Sequence, residues 1–247
     1  MNAHDWDEFA STYAAIQQES TLPIETDVIA ALAGHYPLTS MTVGEVAAGS
    51  GRYTLPLAQH ARRVTAYDWS HQMLLEAQNW LSRHHIHNVT YQQADWHSLP
   101  HTPVADLLFI SQLPTLQASE LMRLGDLATQ AVAVNTQSGQ SNAELQKLAR
   151  HFDWPVPVAY QADPHRIMTY RDQLQTYHID YHRQVFTYTR QTLTTATELM
   201  QAFERPFTLT QAIAAAHHLG ATNANAPLAT TITYTFELLD WHTPPAR

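Results

Sequence analysis

Between residues 41 and 135, short apolar runs alternate strictly with helical segments. The spacing predicts strands at 41–47, 63–67 (ending in Asp68), 88–92, 104–111 and 131–135. Helices are expected between them at 53–60, 71–83 and 119–128, joined by short connections. Parallel strands need a crossover, and a helix is the usual one. The alternation therefore predicts an α/β fold built on a doubly wound, mostly parallel sheet. The run 104–111 is the most continuously apolar, which suits a central strand covered on both faces. Ser70 stands where its hydroxyl can cap the helix over 71–83.

The flanks read differently. Trp6, Phe9, Tyr13 and Ile16 recur at 3- and 4-residue steps, predicting an amphipathic helix over 5–20. A second helix is expected from Pro23 to about Leu32, with Gly34 and Pro37 as punctuation. Beyond Gly139 helices are expected at 141–152, within 165–180, and near 195–203 and 210–219. Residues 181–188 and 230–239 read as strands that could pair as an antiparallel edge. The expectation is one domain over 1–247. Residues 1–36 form a helical cap, 37–139 the cofactor-binding half, 140–185 a substrate-side insertion, and 186–247 the closing strands and helices.

Composition narrows the function classes. A formal net charge of −9 leaves no general grip on nucleic acid or an anionic membrane surface. With no cysteine, disulfides, thiolate metal sites and thiol nucleophiles are excluded. The opening residues lack the build of a secretory signal, and no apolar run approaches the ~20 residues of a membrane span. The reading is a soluble cytoplasmic chain. Of the sixteen histidines, His84, His85 and His87 invite a metal reading. Adjacent histidines at a helix end diverge, however, and no acid stands near them, so a solvated surface is expected and no metal. His165, His178, His182, His217 and His218 are scattered and read as structural.

Three successive strand ends carry the chemistry. After the first, Gly49-Ser50-Gly51 gives the backbone freedom of a sharp strand-to-helix turn and lets a nucleotide approach closely. The N–H groups of the following helix then face a ligand. Glu45, just before the turn, can take a cationic or amide-like ligand edge. Taken alone, the glycine turn is equally well a plain tight connection. After the second strand, Asp68 can accept hydrogen bonds from a ribose diol. After the third, Asp95 could take an exocyclic adenine amine, with Trp96 against the ring or simply half-buried beside a solvated loop.

Glycine turn, first acid and second acid, in that order, resemble the class I S-adenosylmethionine-dependent methyltransferases of the small-molecule branch. The resemblance is carried by Val43-Gly44-Glu45-Val46-Ala47-Ala48-Gly49-Ser50-Gly51, by Val64-Thr65-Ala66-Tyr67-Asp68-Trp69-Ser70-His71-Gln72-Met73-Leu74 and by Ala94-Asp95-Trp96-His97-Ser98-Leu99-Pro100. Ala105–Ser111 resembles the strand that passes under the methionine moiety, and Trp6–Tyr13 the family's cap helix. The resemblance implies a Rossmann-like fold, S-adenosylmethionine as cofactor and methyl transfer to a small-molecule acceptor. It implies cofactor contacts from Tyr13, Glu45, Ala47, Gly49, Gly51, Asp68, Trp69, Met73, Asp95, Trp96 and Ser111. The chain departs from the pattern at Ala47, where the family usually has glycine, and at Glu45, where it often has Asp. Gln112-Leu113-Pro114-Thr115 offers no base, so catalysis by alignment is expected. Tyr160, Tyr170 and Tyr177 are candidates for the substrate side. Two other readings compete: a non-catalytic cofactor- or metabolite-binding protein, and an NAD(P)-dependent oxidoreductase. The latter lacks its third glycine in Gly49-Ser50-Gly51-Arg52-Tyr53-Thr54.

Overall fold

The computed structural model describes residues 2–243. Seven strands form one sheet in the order β3-β2-β1-β4-β5-β7-β6. They are β1 (Thr42–Val46), β2 (Arg63–Asp68), β3 (Val89–Gln93), β4 (Ala105–Ser111), β5 (Ala128–Asn142), β6 (His182–Thr194) and β7 (Leu228–His242). The first five pair in parallel, and β7 and β6 add the antiparallel edge. Helices α1 (Ala3–Gln18) and α2 (Ile24–His35) precede the sheet. Helices α3 (Thr54–His60), α4 (His71–Arg83) and α5 (Leu121–Asp126) cross between its parallel strands. Four more follow: α6 (Ala143–Phe152), α7 (Pro164–Thr176), α8 (Ala196–Gln201) and α9 (Leu209–His218).

Helix α4 has the predicted limits, and Ser70 Oγ accepts the Met73 N–H as its cap. Two differences from the sequence reading have physical causes. Strand β5 was expected over 131–135 but extends to Asn142. Apolar residues end at Val134. The ladder continues through polar residues because the neighbouring β7 is equally long, and backbone pairing does not need apolar side chains. Gly34, expected to punctuate, is the next-to-last residue of α2, so the helix ends one residue beyond it, at His35, where a fraying last turn tolerates glycine.

The chain divides into two compact units. The first comprises the described chain through Thr136, Arg166–Gln184, and Glu237 onward. Its core gathers Val46, Leu108, Ile110, Val132 and Val134 from the sheet with Trp96, Tyr170, Leu239 and Trp241. The second comprises Gln137–His165 and Val185–Phe236. It has its own core of Leu148, Leu199, Met200 and the alanines 196, 215 and 216. Among the described residues no helix is long and apolar enough to cross a membrane.

Candidate cofactor site

Strand register levels the functional residues. Val46 lies opposite Tyr67 of β2 and Ile110 of β4. Asp68 lies opposite Gln93 of β3, and Ser111 opposite Asn135 of β5. Ala47, Asp68, Ser111 and Asn135 therefore stand in one row at the carboxyl ends of the parallel strands. The chain order reverses there, between β1 and β4, where open α/β sheets bind ligands.

The turn after β1 is knitted to the end of β2. The Ala48 N–H donates to the Tyr67 carbonyl at 3.0 Å, and the Gly49 N–H to Asp68 Oδ2 at 2.8 Å. The other oxygen of Asp68 accepts the Ser70 N–H at 2.9 Å. Burial raises the Asp68 carboxyl above its ordinary range, opposed by these backbone donors. Asp68 thus organises the turn, and each of its oxygens keeps a lone pair for a ligand hydroxyl.

The turn is built from left-handed residues: Ala47 at φ 55°, Gly49 at φ 54° and Gly51 at φ 88°. The two glycines do different work. A Cβ on Gly51 would come within 3.0 Å of Ala77 Cβ and Leu81 Cδ1, so Gly51 lets α4 pack against the turn. At Gly49 a Cβ would meet only the Tyr13 ring, at 3.7 Å, so that face stays open to a ligand beneath the cap helix.

Glu45 is 2% exposed, and its Oε2 has no hydrogen-bond partner. Burial, reinforced by the charge of Asp68 and opposed by the Thr54 hydroxyl, pushes its carboxyl up to about 8. At neutral pH this favours the protonated form. Asn135, buried at the end of the same row, donates to Ser111 Oγ at 2.9 Å and to the Tyr53 hydroxyl at 3.1 Å, while its Oδ1 is unpartnered. Burial raises the Tyr53 hydroxyl to about 12, so it is neutral.

The cap is fastened to this end of the sheet. Asp7 of α1 accepts from Ser70 Oγ at 2.6 Å and from the Gln72 N–H at 3.0 Å. Arg52, directly after the turn, donates to Gln17, Ser20 and the Leu22 carbonyl and pairs with Glu25 at 3.0 Å. Burial raises the Tyr13 hydroxyl as well.

The third strand end joins the row through the Ala94 N–H, which donates to the Asp68 carbonyl at 2.9 Å. Asp95 is half-exposed and contacts His97 Nδ1 at 2.9 Å, and His97 Nε2 contacts Glu120 at 2.7 Å. Trp69, beside Asp68, presents an exposed ring. Met73 and Trp96 are buried, and Trp96 belongs to the core of the first unit. Tyr170 is buried too, with its hydroxyl donated to the Leu116 carbonyl at 2.8 Å, so it reads as core rather than pocket lining. Tyr160 and Tyr177 are exposed. Sequence reasoning missed Asp7, Arg52, Tyr53 and Asn135. Only Asn135 left a signal, as a polar residue closing an apolar strand.

Residues 43–134 match the family model described as a methyltransferase domain. Residues 43–134 thus read as a methyltransferase domain, within the Rossmann-like fold described above. The YcgJ protein of Bacillus subtilis has a similar fold, at 10% identity and TM-score 0.54, covering 87% of this chain and 98% of that one. A putative methyltransferase of Bacillus halodurans is similar at 12% identity and TM-score 0.53, over 87% and 98% of the two chains. The magnesium protoporphyrin IX methyltransferase of Synechocystis aligns at 17% identity and TM-score 0.49, over 90% and 82%. No curated protein matches the chain. The methyltransferase match removes the support for the oxidoreductase reading.

Proposed function

We propose that the row of strand ends holds S-adenosylmethionine and that the chain transfers its methyl group to a small-molecule acceptor. The observation that carries this is the linkage of Gly49 N–H to Asp68 beside the unpartnered, buried Glu45 Oε2. A buried polar atom without a partner is costly. A polar ligand end beside Glu45 and Asn135 would supply the missing partners. In this reading Asp68 accepts the ribose hydroxyls, Asp95 and Trp69 lie on the adenine side, and Glu45 and Asn135 face the amino-acid end. Tyr13 and Gly49 bound the middle, beside Ser111. Gly51, Ala47, Met73 and Trp96 shape the walls.

The cofactor supplies an already electrophilic methyl. The chain's own part is to hold donor and acceptor in line and exclude water, for which well-oriented systems reach effective molarities of roughly 10⁵–10⁸ M. No general base is assigned. Asn135 and Tyr53 keep Ser111 fixed without offering a titrating group near neutrality.

Calorimetric titration with S-adenosylmethionine, S-adenosylhomocysteine and NADPH tests the reading. The two sulfur nucleosides should bind and NADPH should not. Asp68→Ala should bind at least tenfold more weakly. Unchanged affinity in that variant would remove Asp68 from the site. Binding without methyl transfer to any acceptor in a broad metabolite screen would favour the non-catalytic reading.

A further inference from the structure

We propose that His35, His182 and Asp240 form a site for one divalent transition-metal ion, at the end of the sheet opposite the glycine turn. His35 ends α2, His182 begins β6, and Asp240 lies two residues before the end of β7. Their ligand atoms all lie within 4.8 Å of one another. The Thr243 N–H donates to the Gln130 carbonyl at the start of β5, which places this end of β7 beside the amino ends of the parallel strands. The ion is thus remote from the transferring methyl, and the inference does not rest on the methyltransferase reading.

The first argument is charge. Asp240 is 0% exposed, and a buried carboxylate is costly unless its charge is met. Among the described residues its partners are the Tyr36 hydroxyl at 2.8 Å and Nδ1 of His35 and of His182, each at 3.1 Å. No lysine or arginine stands among those partners. A phenol and two imidazoles carry no permanent positive charge, whereas a divalent ion supplies it at a point.

The second argument is geometry. Metal–nitrogen and metal–oxygen bonds of about 2.0–2.1 Å at right-angle or tetrahedral angles set neighbouring ligand atoms about 2.8–3.4 Å apart. Both nitrogen–oxygen edges here measure 3.1 Å. The two rings lie 4.4 Å apart between centroids, tilted by 39°, so both Nδ1 atoms converge on one carboxylate. Coordination requires only that each ring carry its hydrogen on Nε2, leaving Nδ1 as the ligand.

The third argument is access and selectivity. The side chains of His35 and His182 are 30% and 57% exposed, so an ion arrives from solvent and keeps water in its remaining positions. Two imidazoles and one carboxylate suit zinc, nickel, copper or ferrous iron and disfavour magnesium and calcium. The ligands are up to 205 residues apart in sequence, so the ion ties the cap's second helix to the two edge strands.

The test is calorimetry of the full chain, stripped with EDTA, against zinc chloride, with cobalt(II) absorption to report geometry. One equivalent should bind with micromolar or tighter affinity and raise the melting temperature. His182→Ala and His35→Ala should each weaken that equivalent ~100-fold, leaving S-adenosylmethionine binding and far-ultraviolet dichroism unchanged. Because both imidazoles are partly exposed, these variants keep the fold. Absence of a saturable equivalent in the parent chain would overturn the proposal. So would unaltered zinc affinity in both variants, which would place the ion on another set of histidines.

Discussion

Asp68 and Asp240 are both buried carboxylates at the ends of strands, yet they are held in opposite ways. Asp68 accepts from backbone N–H groups at positions 49 and 70, both within about 20 residues of it. Asp240 accepts from side chains at 35, 36 and 182. A backbone amide can only donate, and its place is fixed by the fold around it. An imidazole can change tautomer, turn to water or take a metal. The first carboxylate is therefore part of the scaffold of its own turn. The second is a junction between distant segments whose partners can be exchanged.

Replacing each carboxylate by its amide sharpens the contrast. Asp68→Asn sets an NH₂ group against the N–H of Gly49 or Ser70, and neither can reverse its polarity. Urea denaturation should show a loss of about 2–3 kcal/mol, together with the weaker cofactor binding expected of any lesion there. Glu45→Gln is at least as large, with the opposite sign. A carboxyl held at about 8 in the folded chain, against 4.5 unfolded, favours folding fully below pH 4.5 and loses that contribution as pH rises towards 8. The neutral amide has no such loss. At pH 8 the variant should be the more stable by about 4 kcal/mol, with the difference nearly gone by pH 4.5. Melting curves that stay parallel across this range would show Glu45 to be paired.

Asp240→Asn should cost only about 1 kcal/mol in metal-free buffer, because the amide oxygen still accepts from Tyr36 and His35 can switch tautomer. A loss larger than that of Asp68→Asn would break the comparison. The smallest effect belongs to Ala47→Gly. At φ 55° the alanine is strained by roughly 1 kcal/mol, so glycine should raise the melting temperature by a few degrees, less its own entropy cost.

The same contrast explains what the sequence showed. The turn, Asp68 and the cap of α4 were legible because each interaction closes within one strand–helix–strand unit, where spacing alone implies neighbourhood. The succession of strands and helices through β5 was legible for the same reason. The length of β5 was not, since residues 136–142 continue by pairing with a strand almost 100 positions away rather than by apolar content. The histidine cluster was invisible in principle. His182 was one scattered imidazole among sixteen, and only the return of β7 brings Asp240 between it and His35. Gly51 shows a third kind of limit. Its presence was readable, but its closest neighbours are Ala77 and Leu81 of α4.

Arg52 joins these scales. It follows the glycine turn directly, and its guanidinium reaches Gln17 at the end of α1, Glu25 at the start of α2, and Ser20 and the Leu22 carbonyl between them. Any displacement of the glycine turn is thereby carried to the cap: the segment from Gln17 to Glu25 parts from the sheet only by giving up the same guanidinium.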